Sequence, residues 1–480
     1  MVSLTEENVE VSLAEGAVLS STAVDVVEFR RGDARLRLKR LDRGVTAALC
    51  RLAEKPVGYV ELETSALAAD PHADVGRLLY EVARLVSRSL VLARCVVNGE
   101  ELLRATAISR LSRFDVTASV DGVLLRLSRF AYVRRQEEAM VIESPASYAR
   151  VEVREPALGG LLFRLAAANT ADRLCTAIPG LSADAARAAL GFLLGVGVVT
   201  VVDGSETTAD DVHPQVAQRE FHDVLMHSAS RCGLGDQARG TTFRFRGAHA
   251  PLPAVRELPD GAQTPLPVPD RGRFLAEDRG LAQVIEDRRS IWEHGAEPIT
   301  IDQLGEFLFR VARVDSIQPA DEAAGRSYET TRRPYPSGGA CYDLELYLTV
   351  HRCTGLGAGI YHYDPAGHRL TRVSAKPDLV RQMLLAARSA TASPMPPQVL
   401  VTLASRFGRL GWKYEGIAYA TTLKNVGVMY QTMYLTATAM GLAPCALGAG
   451  DSAAFARATR LDPLVESSVG EFTLGTRGDR

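Results

Sequence analysis

Two adjacent side chains that can move a proton, Lys413 and Tyr414, stand near the C-terminal end of the chain. They fall between an apolar strand predicted for residues 399–403 and a long apolar helix predicted for residues 418–440. A desolvated lysine changes its protonation state readily, and a tyrosine can donate or relay a proton. Neighbours on a regular strand or helix point in different directions, so both would reach one pocket only from a loop. The alternative is a solvated lysine beside a packed tyrosine.

Two further segments could hold a phosphate and a flat ring. Arg288-Arg289-Ser290 ends a helix predicted for residues 273–288, and two guanidinium groups with a hydroxyl suit a phosphate monoester. The alternative is an arginine pair that faces the negative end of the helix dipole. Pro336-Ser337-Gly338-Gly339 precedes a predicted strand. Paired glycines let a backbone approach a ring closely, and the serine adds a donor; the alternative is an ordinary loop.

The composition is that of a globular protein rather than a nucleic-acid-binding or membrane-spanning one. The chain has 480 residues, of which 46% are hydrophobic and 23% charged, with a net charge of -2. We therefore expect roughly three domains and no nucleic-acid partner. The first residues lack the pattern of a secretory signal, and the apolar run 196–202 is too short to cross a membrane. Seven cysteines without a Cys-x-x-Cys pair predict reduced thiols in a cytoplasmic protein, and no metal site is predicted.

The first half of the chain has the pattern of a diverged duplication. Strands predicted at residues 24–29 and 90–97 enclose two helices. A similar order follows, with a hairpin predicted between residues 114–119 and 123–127 around Asp121-Gly122, and a helix over residues 183–194 capped by Ser182. Strands and helices in this order are typical of winged-helix modules. The presumed second helix carries one arginine and one aspartate over residues 182–190, which favours peptide docking along a strand edge or structural packing over DNA binding.

A proline-rich segment separates these modules from an α+β half. Prolines at 251, 253, 259, 265, 267 and 269 cannot continue a helix or a central strand, and they predict an extended connector or a strap on a surface. Helices and strands with mixed connections follow it. The predicted domains are a first winged-helix-like module at 1–110, a second at 111–215, a linker at 216–272 and an α+β domain at 273–480.

In this order the segments resemble the FMN-dependent nitroreductase fold, and more narrowly the SagB-type azoline dehydrogenases, over about residues 280–477. The resemblance implies that Arg288-Arg289-Ser290 contacts the FMN phosphate and that the loop from Pro336 to Gly339 wraps the flavin. It implies Lys413 and Tyr414 as the pair that serves dehydrogenation. It also implies cofactor contacts at Gln431, Leu447 and Gly448, and winged-helix-like peptide-clamp modules before the FMN domain.

The chain departs from its relatives on the long helix. Many relatives carry Glu-Ala-Gly-His where this chain has Asn425-Val426-Gly427-Val428, and their following Gln-Asn is Gln431-Thr432 here. The glycine and the glutamine are kept, whereas the acidic and imidazole positions are changed. FMN binding is therefore still expected, while the details of the site differ.

The function implied is oxidation of thiazolines or oxazolines in a precursor peptide to thiazoles or oxazoles, in the biosynthesis of modified-peptide natural products. Lys413 or Tyr414 would take a carbon-bound proton, and the flavin would take the hydride. The implied partners are the azoline-containing peptide, a cyclodehydratase and a second copy of the chain in a homodimer. Two alternatives stay open: an NAD(P)H-dependent nitro or quinone reductase, and a non-catalytic peptide-binding scaffold.

Overall fold

A computed structural model describes residues 8–23, 25–115, 119–204, 206–391 and 393–478. The chain divides into two compact units, Met1–Gln237 and Ala238–Arg480. Both predicted winged-helix-like modules fall in the first unit, and the predicted linker is shared between the two units. The four-part division stays a prediction.

The first unit is built on one antiparallel sheet that takes strands from both predicted modules. Its seven strands follow the order β5-β1-β6-β7-β11-β10-β9, beside a three-stranded sheet β2-β3-β4 and a two-stranded ribbon β8-β12. The strands are β1 Val9–Leu13, β2 Ala17–Ala23, β3 Val26–Arg31, β4 Ala34–Lys39, β5 Val57–Gly58, β6 Val91–Val97, β7 Glu100–Ala107, β8 Leu125–Leu127, β9 Tyr132–Gln136, β10 Ala139–Ser144, β11 Ala149–Val153 and β12 Val199–Val201.

Each predicted module has its own helices, and the described residues of this unit form two main cores. The helices are α1 Arg43–Arg51, α2 Tyr59–Ala69, α3 Val75–Ser87, α4 Ala157–Arg164, α5 Ala171–Ala177, α6 Ala183–Gly195, α7 Ala209–Val212 and α8 Phe221–Ser230. One core gathers around Leu49 and Leu85, and the other around Leu161 and Leu190. The predicted Ser182 cap is confirmed, because its hydroxyl accepts from the Ala185 amide at 3.1 Å.

One local prediction was wrong, and another falls partly outside the described residues. Strand β8 pairs with β12, whereas residues 116–118 of the predicted hairpin lie outside the described residues, as does Val24 of the first predicted strand. The turn predicted at Asp121-Gly122 forms. Leu125 of β8 is fully buried in the core around Leu161 and Leu190, and β12 is the strand that pairs with β8. The helix predicted for residues 273–288 is broken, because residues 278–280 leave the helical conformation and Gly280 begins a second helix. Glycine favours a helix end over a helix interior.

The second unit is also organised around a seven-stranded antiparallel sheet, in the order β14-β21-β20-β18-β22-β25-β24. Its strands are β13 Gly240–Thr241, β14 Gln263–Pro265, β15 Ile299–Thr300, β16 Ser316–Gln318, β17 Thr330–Arg332, β18 Leu344–Val350, β19 Cys353–Thr354, β20 Gly359–Asp364, β21 Arg369–Ser374, β22 Val399–Arg406, β23 Tyr414–Glu415, β24 Leu442–Leu447 and β25 Glu466–Thr476. Its helices are α9 Arg271–Glu277, α10 Leu281–Asp287, α11 Ile301–Ala312, α12 Pro377–Thr391, α13 Phe407–Gly411, α14 Ala418–Ala439 and α15 Ser452–Thr459.

Helix α14 is the central helix of this unit. Its apolar residues Val426, Met429 and Met433 lie in one core with α11 and with Phe472 of β25. It ends at Gly441, whose φ of 70° lies in the left-handed region that glycine adopts without strain. The helix thereby fixes the polar side chains along its length relative to the sheet.

Residues 240–256, here called the strap, lie against the segment that carries Lys413 and Tyr414. Strand β13 pairs with β23, and the amides of Thr242 and Phe243 both donate to the Lys413 carbonyl at 3.2 Å. The Trp412 indole donates to the His249 carbonyl at 2.8 Å. The strap is therefore an ordered part of the second unit. In the described part of the chain, no helix combines the length and apolar character that crossing a membrane requires.

Candidate functional site

Lys413 and Tyr414 converge on the loop that contains Gly339. They follow α13 in a turn and the short strand β23, so both side chains reach the same place. Lys413 Nζ lies 3.4 Å from the Gly339 carbonyl oxygen. A Cβ on Gly339 would collide with both Lys413 Nζ and the Tyr414 hydroxyl, and the φ of 61° at this residue favours glycine as well. The structure thus brings two of the three predicted segments together.

Tyr328 is a member of this cluster that the sequence pattern missed. Its hydroxyl donates to the Gly339 carbonyl at 2.5 Å and accepts from Lys413 Nζ at 2.7 Å. Burial raises the pKa of Tyr328, with a further contribution from Cys341, so the phenol stays protonated and can donate. Tyr328 stands in a segment without regular periodicity, and only the folded chain reveals its partner.

Tyr414 is also held in its protonated form. Burial is the main cause that raises its pKa, Cys341 adds to the effect, and a hydrogen bond with Thr241 of the strap opposes it. Tyr414 is half-buried. It can therefore offer a hydroxyl proton to a bound molecule at neutral pH.

Asn425 fixes the other side of the loop from Pro336 to Gly339, here called the glycine loop. Its side-chain oxygen accepts from the Gly338 amide at 3.0 Å, and its side-chain nitrogen donates to Asp343 at 2.7 Å and to the Ser337 hydroxyl at 3.2 Å. Asp343 is fully buried and also accepts from the hydroxyls of Ser405 and Thr422. The changed position on the long helix is thus the residue that joins the loop to a buried carboxylate.

The glycine loop is closely packed on one side and exposed on the other. A Cβ on Gly338 would collide with the Thr421 methyl group, whereas Gly339 itself is exposed. Pro336 is exposed too, and the Ser337 hydroxyl accepts from the Tyr342 amide at 3.0 Å, which leaves its own proton free to donate. A flat ring could lie against this backbone.

The Arg288-Arg289-Ser290 segment lies farther along α14. The Ser290 hydroxyl is 2.8 Å from that of Tyr434, and the Arg288 guanidinium stacks 5.3 Å from the centre of the Tyr434 ring. Arg289 instead donates to the carbonyls of Glu286 and Arg288, at 2.7 and 2.8 Å. Arg288 and Ser290 therefore present a cation and a hydroxyl together, which is the chemistry that a phosphate requires.

A cleft of about 340 Å³ contains two more of the predicted residues, Leu447 and Gly448. Glu471 forms part of its wall. Burial raises the pKa of Glu471 to about 7, and only a hydrogen bond with Ser468 opposes this effect. The cleft therefore holds a carboxyl that can be protonated near neutral pH.

One copy of the chain does not bring every predicted residue to one point. Tyr434 of α14 contacts Arg288 and Ser290, and Asn425 of the same helix contacts the glycine loop. The two residues are nine positions apart on α14. At the rise of an α-helix these positions are roughly 14 Å apart along the axis. Gln431 lies exposed between them. The parts fit a group that joins a phosphate to a flat ring, with Arg288 and Ser290 suited to the first and the glycine loop to the second.

Comparison with protein families matches two different models to the two units. The model described as cyanobactin oxidase ThcOx matches residues 125–236, and the model of the nitroreductase family matches residues 285–476. Each model covers less than half of the chain.

Three curated relatives each align with part of this chain. The putative nitroreductase MJ1384 of Methanocaldococcus jannaschii is 31% identical over 173 residues, which are 36% of this chain and 80% of that protein. The trifolitoxin-processing protein TfxB of Rhizobium leguminosarum bv. trifolii is 26% identical over 30% of this chain and 40% of its own length. The microcin B17-processing protein McbC of Escherichia coli is 32% identical over 24% and 43%. This chain therefore spans less than half of the length of TfxB and of McbC.

Two solved structures illustrate the range of structural neighbours. A putative nitroreductase from Ralstonia eutropha JMP134 aligns with a TM-score of 0.35 and 20% identity, over 51% of this chain and all of that one. The E. coli microcin synthetase McbBCD complex with truncated pro-MccB17 bound aligns with a TM-score of 0.33 and 22% identity, over 49% and 91%.

Proposed function

This chain belongs to the nitroreductase family, and we propose that it uses FMN to oxidise thiazoline or oxazoline rings of a precursor peptide to thiazoles or oxazoles. The observation that carries this proposal is the convergence of Lys413, Tyr414 and Tyr328 on Gly339. It places groups that handle protons against the loop proposed to hold the flavin. The names of TfxB and McbC, which describe peptide processing, support the choice of substrate.

The chain's residues have separate tasks in this proposal. Arg288 and Ser290 are proposed to bind the FMN phosphate, with Arg289 turning from its carbonyl partners to join them, and the loop from Pro336 to Gly339 is proposed to support the ring. Gln431, Leu447 and Gly448 are proposed to complete the cofactor site. Bound FMN supplies the two-electron acceptor that aromatisation of the azoline needs.

Lys413 is proposed to handle the proton that leaves the azoline carbon. Its Nζ has two oxygen neighbours, the hydroxyl of Tyr328 at 2.7 Å and the carbonyl of Gly339 at 3.4 Å. An amine nitrogen has four positions for bonds, so one position remains for the substrate when Cε and these two oxygens occupy the others. Tyr414, held in its protonated form, is proposed to donate a hydrogen bond or relay the proton.

We further propose a homodimer in which a second copy completes the site. The roughly 14 Å along α14 between Asn425 and Tyr434 supports this arrangement. Exposed apolar side chains support it as well: Leu275 on α9 is 77% exposed, and Leu281 and Ile285 on α10 are 65% and 50% exposed. Apolar side chains clustered on a surface are typical of a subunit interface.

The first unit is proposed to bind the precursor peptide. The winged-helix-like modules predicted there, and the match of residues 125–236 to the cyanobactin oxidase model, support this role. A cyclodehydratase, which forms the azoline rings, is proposed as a further partner. Because ribosomes produce such a precursor in the cytoplasm, we propose that the reaction occurs there.

A second candidate is an NAD(P)H-dependent nitro or quinone reductase. It is favoured by the relative MJ1384, a putative nitroreductase of which this chain covers 80%. The two functions differ in their electron donor. The azoline oxidase takes electrons from the peptide, whereas the reductase takes them from a nicotinamide.

Anaerobic reduction of the FMN-loaded protein distinguishes the two candidates. We expect an azoline-bearing peptide to bleach the flavin absorbance within a turnover, and NAD(P)H to do so far more slowly. Lys413→Met is expected to retain FMN but lose most of this bleaching, whereas the exposed Lys424→Met on α14 serves as the matched control and behaves as wild type. Rapid bleaching by NAD(P)H alone, with none by the peptide, would select the reductase.

A further inference from the structure

Tyr328 lies between Lys413 and the glycine loop and is hydrogen-bonded to both. Its hydroxyl accepts a hydrogen bond from Lys413 Nζ at 2.7 Å and donates one to the Gly339 carbonyl at 2.5 Å. A hydroxyl has one proton and two lone pairs. These two bonds therefore point the proton of Tyr328 at the Gly339 carbonyl and one of its lone pairs at Lys413. The Lys413 nitrogen also lies 5.1 Å from the centre of the Tyr328 ring, within the range of a cation–π contact.

The ring of Tyr328 is itself held by its surroundings. Phe243 of the strap and Trp412 pack against it, with ring centres 6.4 and 5.9 Å away. The Arg409 guanidinium lies 5.7 Å from the ring centre. Tyr328 is only 7% exposed, so its hydroxyl has little freedom to choose other partners.

We propose that Tyr328 is a positioning residue. It holds the Lys413 nitrogen at the glycine loop so that the fourth bonding position of that nitrogen faces the substrate. The expected effect on the rate of azoline oxidation rests on the proposed function, whereas the position of Lys413 does not. A lysine side chain has four rotatable bonds and is otherwise free to extend into solvent. Reactions that depend on a placed proton acceptor slow steeply when that acceptor moves by about 1 Å.

A neighbouring tyrosine provides a matched control. Tyr335 is 1% exposed, and its buried hydroxyl has no hydrogen-bond partner among the described residues. Tyr328→Phe and Tyr335→Phe therefore remove the same atom from two buried rings of one unit. Only the first substitution removes a contact with Lys413.

The first test measures the position of Lys413 without cofactor or substrate. The purified full chain is treated with a trace of acetic anhydride, and mass spectrometry compares acetylation at Lys413 with that at exposed Lys424. We expect Tyr328→Phe to raise the Lys413-to-Lys424 ratio several-fold, because the amine loses its nearest partner, and Tyr335→Phe to leave it unchanged. An unchanged ratio in Tyr328→Phe, with a thermal unfolding midpoint like that of wild type, would overturn the proposal.

The second test is a double-mutant cycle on azoline oxidation. Displacement of the proton-accepting nitrogen predicts a kcat for Tyr328→Phe on the order of 10- to 100-fold lower, with FMN content and KM little changed. In a Lys413→Met background the same substitution is expected to add almost nothing, because its effect passes through the lysine. A full further loss in that background would show that Tyr328 acts independently of Lys413 and would refute the proposal. A wild-type protein that binds FMN and oxidises no azoline would contradict the proposed function alone, since the acetylation ratio is measured separately.

Discussion

At the scale of single residues, the sequence points to candidate chemistry-bearing side chains but not to the side chains that contact them. Lys413, Tyr414 and the glycine loop stand out by type and spacing. Tyr328 carries no local signal, because its role depends on a hydrogen bond across 85 positions of the chain. Asn425 could be recognised only as a departure from relatives, and its bonds to Gly338 and Asp343 became visible in the fold.

Asn425→Asp is expected to destabilise the second unit. The substitution replaces a donor that lies 2.7 Å from a buried Asp343 oxygen with a second carboxylate. Two carboxylates this close repel or must take up a proton, which costs about 3 kcal/mol of unfolding free energy. Urea unfolding checks this value. Gln431→Glu, which adds the same charge to an exposed position of α14, is the control and should change stability little; equal effects of the two variants would contradict the account.

Glu471 makes the stability of the protein dependent on pH. Burial raises the pKa of its carboxyl in the folded chain to about 7 from the ordinary value of about 4.5. Since folding disfavours the ionised form, this group costs nothing below about pH 4.5 and reduces stability as the pH rises toward 7. Glu471→Gln removes that dependence. The unfolding free energy of the variant relative to wild type should therefore increase by about 3 kcal/mol between pH 4.5 and pH 8. A difference that is the same at both values would show that the carboxyl titrates normally.

At the scale of elements, regular periodicity predicted most helices and strands, and tertiary pairing decided the remainder. The long helix α14 and the strands of the second sheet carry strong apolar patterns. Strand β8 has only three residues, so its partner β12 could be found only once α6 had placed it. The strap has almost no regular structure, and its order comes from hydrogen bonds to distant residues that no local pattern contains.

Arg409 is a buried residue that joins the strap to two other segments of the second unit. It is 3% exposed, and its guanidinium donates to the carbonyls of Cys341, Glu329 and Leu252 at 2.8, 3.1 and 2.5 Å. Arg409→Ala leaves three carbonyls without this partner and should lower the unfolding free energy by about 4 kcal/mol. Hydrogen exchange at the Thr242 and Phe243 amides should accelerate.

Arg381→Ala is the matched control for this experiment. Arg381 forms a pair with Asp378 on the surface of α12, and both side chains are largely exposed. Such surface pairs contribute about 0–1 kcal/mol. Slow exchange at Thr242 and Phe243 in Arg409→Ala would show that the strap does not depend on this arginine.

At the scale of the whole molecule, the sequence predicted the order of its parts, but not that the two modules share a sheet. Strand β7, which follows the first set of helices, pairs with β11, which precedes the second set. The pairing joins the predicted modules through backbone hydrogen bonds, and these carry no residue-specific pattern. Assembly with a second copy likewise depends on surfaces whose exposure is visible only in the folded chain.

Ile285→Glu tests the proposed dimer. Ile285 is 50% exposed on α10, so a charge there should leave the folded chain stable but disfavour an apolar interface. Sedimentation should show dissociation at low micromolar concentration, and FMN retention should fall with it. Leu464→Glu, at another exposed apolar residue of the same unit, is the control. A stable Ile285→Glu dimer with full FMN content would contradict the placement of the interface.

The most direct test of the central claim is the mass of a peptide after incubation with the FMN-loaded protein in air. A synthetic precursor peptide with a single thiazoline should lose about two mass units, because two hydrogens leave the ring when it becomes a thiazole. The loss should be nearly absent with Lys413→Met that carries the same amount of FMN, and complete with Lys424→Met. A peptide of unchanged mass in the presence of fully flavin-loaded protein would contradict the proposed function.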